Sequence, residues 1–254
     1  MVLLILKLNR KMLKAIKCIF VDFYFFLKHR SIKCENKFNF FYYFIVYVLI
    51  MIAAGIFRIG IPIIYTFFDV PMIQNVVSKN EIKPISFCWT LLFGVIIAPI
   101  IEELCFRYPL KYSKNNLSIG IIFFAISVFV TNLKTVNKLL NSTSFTLNPM
   151  FWVFISIALL FYIITRFNLI NNIISKFWNK YLIVIIYVLS AYFALLHFPL
   201  PKTGINWVWV PVLVAPQFFM ALYFSFIRLR VKFIYCVFLH MIINGIAILP
   251  QIFI

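Results

Sequence analysis

Six side chains in three short segments have the types and spacing to do chemistry. In Ala98-Pro99-Ile100-Ile101-Glu102-Glu103-Leu104-Cys105-Phe106-Arg107, two adjacent carboxylates and an arginine interrupt an apolar run. Helical residues turn about 100° each, so Glu102 and Glu103 cannot point the same way, whereas Glu103 and Arg107 share a face and can pair. Arg107 then holds Glu103 ionised. Glu102 faces another sector, where desolvation and the neighbouring carboxylate raise its proton affinity. That suits a general base taking a proton from water near neutral pH. A purely structural Glu–Arg staple between helices is the plainer alternative.

The other two segments each end on or begin with a histidine. His197 closes the run Phe193-Ala194-Leu195-Leu196-His197, with Phe193 one turn earlier on the same face. His240 and Asn244 stack on one face and can aim two donors at one point. Taken singly, either histidine reads as a hydrogen-bonded packing residue, and His29, in a basic tail, as a solvated one. Together with Glu102, His197 and His240–Asn244 supply a base, a partner for water and two oxyanion donors, which is the equipment for peptide hydrolysis without a covalent intermediate.

Two other chemistries compete. Glu102, His197 and His240 are ligand types that zinc accepts, but no HExxH and no His-rich or Cys-rich tract is present. The expectation is therefore no cofactor, with zinc as the alternative. Cys236 lies four residues before His240, yet nothing in its apolar run lowers its pKa. The five cysteines, Cys18, Cys34, Cys88, Cys105 and Cys236, lack CxxC spacing and read as reduced.

The elements that must position these groups are set by composition. The 254 residues are 65% hydrophobic and 12% charged, with a mean hydropathy of +1.04, where a soluble domain carries about 25% charged residues. Apolar runs near the length a bilayer-spanning helix needs predict an all-α, polytopic transmembrane bundle of about seven spans. They lie near Phe40–Phe57, Ile85–Leu110, Leu117–Leu133, Pro149–Phe167, Tyr181–Phe198, Trp207–Ile227 and Phe233–Ile254. Arg58 ends the first span, and Ile59–Phe68 continues it as an interfacial or broken helix interrupted by Pro62. Pro211 and Pro216, with Gln217, either line a cavity or bend their helix. Trp207 and Trp209 are headgroup anchors.

The 24 Lys and Arg against 6 Asp and Glu sit between apolar runs and form no stripe for nucleic acid. They read as topology. Lys7, Arg10, Lys11, Lys14, Lys17, Lys28, Arg30, Lys33 and Lys37 keep the N-terminus cytoplasmic, and the inner loops collect most of the remainder. Residues 1–37 are thus a basic cytoplasmic segment whose stretch from Met12 to Leu27 is an interfacial amphipathic helix. Residues 38–254 are the transmembrane domain of a multi-pass protein of the cell membrane, its partners the lipid bilayer and a protein or peptide substrate.

Glu102-Glu103-x-x-x-Arg107, Phe193-x-x-x-His197 and His240-x-x-x-Asn244, in this order, resemble the three motifs of the CAAX prenyl endopeptidase and bacteriocin-processing family, also called the Abi family. The resemblance covers about Ile85 to Ile254. It implies an intramembrane glutamic endopeptidase acting on a membrane-associated or prenylated-type protein or peptide. Glu102 and His197 would activate water, Glu103 and Arg107 organise the site, and His240 and Asn244 stabilise the oxyanion. Two features differ from the common pattern: Tyr108 stands where many members have Gly, and about 95 residues separate the first two motifs. From other classes, buried Glu, Arg and His with Pro-broken helices also build ion or proton transporters, and a catalytically silent immunity or scaffold protein would keep the same fold.

Overall fold

The computed structural model describes residues 2–29, 38–67, 88–89, 91–140, 149–164, 166–197 and 210–248. All regular structure among them is helical: α1 (Val2–His29), α2 (Phe40–Phe67), α3 (Ala98–Phe106), α4 (Lys114–Leu140), α5 (Pro149–Ile164), α6 (Asn168–Lys180), α7 (Leu182–Leu196), α8 (Val210–Arg230) and α9 (Phe233–Ile248). A π-helical turn (Leu92–Ile97) leads into α3, and a 3-10 turn (Tyr108–Leu110) follows it. Trp207 and Trp209 lie outside the described residues.

Each apolar run contains a helix, with three differences from expectation. Residues 168–180, read as an inner loop, form α6. The run Ile85–Leu110 is not one rod, because prolines interrupt it. Pro99 has no N–H to return to the carbonyl four residues back; just before it, Ala98 N–H reaches five residues back to Phe93 O, the bond of a π-turn. Pro109 then stops α3. By contrast α2 runs on past Arg58 and Pro62 to Phe67 as one helix.

Among the described residues, α8 alone is long and apolar enough to cross a membrane by itself. Ile155–Ile163 and α6 pass the same test only as a pair, bent by 106°. Phe40–Ile56, α7 and α9 are apolar but shorter.

The chain forms two compact units, Met1–Glu81 with Ile186–Ile227, and Ile82–Ile185 with Arg228–Ile254. In the first, α1 buries Ala15, Ile19, Asp22 and Phe26, a stripe at i, i+4, i+7 and i+11 that falls on one helical face. Arg10, Lys14 and Lys17 project from the opposite face and are exposed. The buried stripe meets aromatic partners: Phe23 stands edge-on to Tyr223 at 5.3 Å, Phe26 lies 5.4 Å from Phe226, and Tyr223 Oη donates to Tyr43 O at 2.8 Å. Pro216 lines an apolar cavity of about 290 Å³ together with Phe23, Ile50, Ala53 and Phe219; Gln217 does not. Cys18 is disulfide-bonded, which corrects the reading of all five cysteines as reduced, since CxxC spacing does not register pairs that folding brings together. Cys88, Cys105 and Cys236 are not in disulfides.

In the second unit, α3 packs against α4 and α9, and α9 also packs on the π-turn. Two glycines permit these approaches. A Cβ on Gly120 of α4 would sit 2.7 Å from Pro109 Cγ, and one on Gly94 would sit 2.7 Å from Ile248 Cδ1.

Candidate active site

The second unit gathers both glutamates, Arg107 and His240 into one buried chain of contacts. Glu103, fully buried, forms an ion pair with Arg107 Nη1 at 3.4 Å, the pairing that four-residue spacing requires. Its Oε1 also accepts from His240 Nδ1 at 2.9 Å. On the other side of the imidazole, His240 Nε2 lies 3.5 Å from Glu102 Oε2. His240 and Arg107 are as closed off as Glu103, whereas Glu102 keeps 23% of its side chain accessible.

This order constrains the protons. Beside an ionised Glu103, which only accepts, the Nδ1 nitrogen carries a hydrogen. Nε2 then either carries a second hydrogen toward Glu102 or faces that carboxylate across a shared proton or cation. The bond between His240 and Glu103 is invisible to a reading by spacing, because the two lie 137 positions apart.

Asn244 is one turn beyond His240 on α9. Its Nδ2 donates one hydrogen to Gly94 O in the π-turn at 2.8 Å, so the residue read as an oxyanion donor also ties α9 to the entry of α3. The other amide hydrogen is a second donor on the same nitrogen.

Arg228 has no place in the three motifs, and in sequence it reads, like the other basic residues between apolar runs, only as a topology signal. It is buried, and its Nε and Nη2 donate to Arg107 O at 3.2 Å and Tyr108 O at 3.0 Å. The last carbonyls of a helix lack partners within it and attract cations, so this guanidinium finishes the C-terminal end of α3. It also lies 5.0 Å from the Tyr108 ring and 5.4 Å from that of Phe233. Tyr108, the departure from the family pattern, is therefore one wall of the Arg228 seat. The only sequence signal was that Arg228 is the first basic residue of Arg228-Leu229-Arg230-Val231-Lys232, at the end of an apolar run.

His197 belongs to the first unit, in the turn that ends α7. Its Nδ1 donates to Phe193 O at 2.8 Å, and its ring packs 4.3 Å from the Phe193 ring. Since a carbonyl only accepts, this bond fixes the Nδ1–H tautomer of the neutral ring and leaves the lone pair on Nε2. Phe193 thus serves the histidine twice, through its backbone oxygen and its ring.

No curated protein and no solved structure matches the chain. A family model described as "Type II CAAX prenyl endopeptidase Rce1-like" matches residues 84–246, a stretch that contains all six candidate residues. On that match the protein belongs to the type II CAAX prenyl endopeptidase Rce1-like family.

Proposed function

We propose that the chain is a multi-pass intramembrane endopeptidase that hydrolyses a peptide bond of a membrane-associated protein or peptide with a glutamate-activated water. The observation that carries this reading is the buried line Glu102–His240–Glu103–Arg107, held on helices that otherwise carry apolar residues. In this reading the remaining long apolar elements, α2, α4, α5, α7 and α9, also cross the bilayer. Residues 1–37 are the cytoplasmic segment and 38–254 the membrane domain.

Glu102, the more accessible carboxylate, takes a proton from the water as its oxygen attacks the scissile carbonyl carbon. His197, its ring already held by Phe193, orients that water through Nε2. The oxyanion receives donors from His240 Nε2 and the second amide hydrogen of Asn244. Collapse of the tetrahedral intermediate breaks the C–N bond, and Glu102 returns its proton to the departing amine. Glu103 keeps His240 oriented, and Arg107 pairs with Glu103.

One observation favours a second reading. The 3.5 Å between Glu102 Oε2 and His240 Nε2 is about the separation of two ligands on one tetrahedral zinc ion. Glu102 and His240 would hold such an ion with His197, and it would supply carbonyl polarisation and an acidified water.

Purified protein in detergent, given a peptide library that includes prenylated and unmodified substrates, tests both. Glu102→Gln and His240→Ala should each lower cleavage by about 10²- to 10⁴-fold, the usual worth of general acid–base and oxyanion groups, measured on the folded fraction of each variant as read by thermal unfolding. Activity that survives a chelator supports the metal-free mechanism. Activity abolished by chelator and restored by zinc transfers the mechanism to the metal. Cleavage unchanged in Glu102→Gln ends the assignment.

A further inference from the structure

Helix α6 is amphipathic in an unusual place. Leu169, Ile173 and Phe177 stand at i, i+4 and i+8 on one face and are 75%, 60% and 56% exposed. Asn172, Lys176 and Asn179 are exposed along one edge of that stripe. The remaining side is docked. Tyr112 Oη donates to Asn171 Oδ1 at 2.8 Å, the Tyr112 and Trp178 rings lie 6.1 Å apart, and Lys114 Nζ donates to Asn168 Oδ1 at 3.4 Å. Burial raises the Tyr112 phenol above its ordinary pKa, so it stays a donor. The apolar stripe is therefore presented outward by a helix fixed from behind.

The helix before it supplies the direction. Within α5, Ile157, Leu159, Leu160 and Ile163 are all more than half exposed, the look of a rod meant for hydrocarbon. The chain then turns by 106° into α6. At the turn, Arg166 bonds the Tyr162 hydroxyl and lies 4.4 Å from its ring. A tyrosine and an arginine where a spanning rod ends mark headgroup depth. A helix leaving that depth at nearly a right angle runs in the plane of the bilayer surface.

Charge selects the lipid. Every acidic residue of the chain lies at or before Glu103, so the stretch from Pro149 to Leu182 carries only Arg166, Lys176 and Lys180.

We propose that α6 is an in-plane membrane-surface helix that seats on anionic phospholipid, with Leu169, Ile173 and Phe177 among the upper acyl carbons and Arg166, Lys176 and Lys180 on the phosphates. The inference rests on the reading of the chain as membrane-embedded. An in-plane helix docked through Tyr112 to the segment just after α3 sets the depth of the carboxylates in the bilayer.

The full chain carrying p-benzoylphenylalanine at Ile173, and separately at Leu160 of α5, is reconstituted in nanodiscs of phosphatidylcholine with one-fifth phosphatidylglycerol and irradiated. Both positions should yield phospholipid adducts by mass spectrometry. Those at Ile173 should be enriched in phosphatidylglycerol about fivefold over its share of the bilayer, and Lys176→Gln with Lys180→Gln should remove the enrichment while keeping the adducts. Lipid adducts at Leu160 with none at Ile173, a cross-linked second copy at Ile173, or phosphatidylglycerol captured only in proportion to its share would each overturn the proposal while leaving the membrane reading intact. Absence of lipid adducts at both positions would overturn both.

Discussion

His240 takes its identity from two carboxylates that pull on opposite sides of one ring. Glu103 is the rigid member, fully buried and shared with Arg107, and Glu102 is the accessible one. Removing the charge of Glu103 alone strands Arg107 in an apolar interior, a loss of about 3 to 5 kcal/mol. Glu103→Gln should therefore unfold at markedly lower temperature, while Glu103→Gln with Arg107→Met recovers most of the stability and none of the cleavage activity. A double variant as unstable as the single one would show that the Glu103–Arg107 pair is not the energetic unit. At this scale the sequence was informative where spacing decides contact. Four-residue steps located the Glu103–Arg107 pair, the His197 ring against Phe193, and Asn244 a turn beyond His240. Contacts between distant segments carry no such signal, so the bonds from His240 to Glu103 and from Asn244 to Gly94 emerged only on folding.

Short elements hold the site more firmly than their length suggests. α3 has only nine residues, below the length at which an isolated helix persists in water, and it is stabilised by what closes its ends. Arg228 covers the final carbonyls, and the 3-10 turn beyond them nests against Gly120, where a larger residue would meet the rigid Pro109 ring. Arg228→Gln removes the guanidinium donors from Tyr108 O and from Arg107 O, which keeps only the Leu110 N–H, at a cost of about 1 to 3 kcal/mol. It should lower kcat more than it raises KM, because the carboxylates move while the surface that binds substrate stays. Arg228→Lys should recover part of the loss, and equal stability and turnover in Arg228→Gln would show that the contact is idle. Arg228 resembled every other basic residue at the end of an apolar run, because composition reports charge and not the carbonyls it meets. The helix of residues 168–180 was missed for a related reason: its asparagines and lysines lower the local hydropathy, and a search for uniformly apolar runs passes over an amphipathic one.

At the scale of the molecule, the described residues are legible as all-helical from the apolar runs, and the order of the runs survives in the order of the helices. The runs overstated regularity where proline intervened, as between Ile85 and Leu110. The topology they imply, with the N-terminus cytoplasmic, brings Cys88 near the outer surface at the start of its span. Cys88 is a free and exposed thiol, whereas Cys105 and Cys236 are buried. A membrane-impermeant maleimide applied to intact cells should label the protein, and Cys88→Ser should lose that label. Labelling that appears only after permeabilisation would invert the topology.

One consequence follows from α3 being tied at both ends, by Asn244 to the turn that enters it and by Arg228 to the carbonyls that leave it. A jaw bolted at each corner has no hinge. Selectivity must then come from parts that can still shift around it, and an inhibitor shaped like the tetrahedral species would find its seat ready-made, associating in a single step with no slow tightening phase.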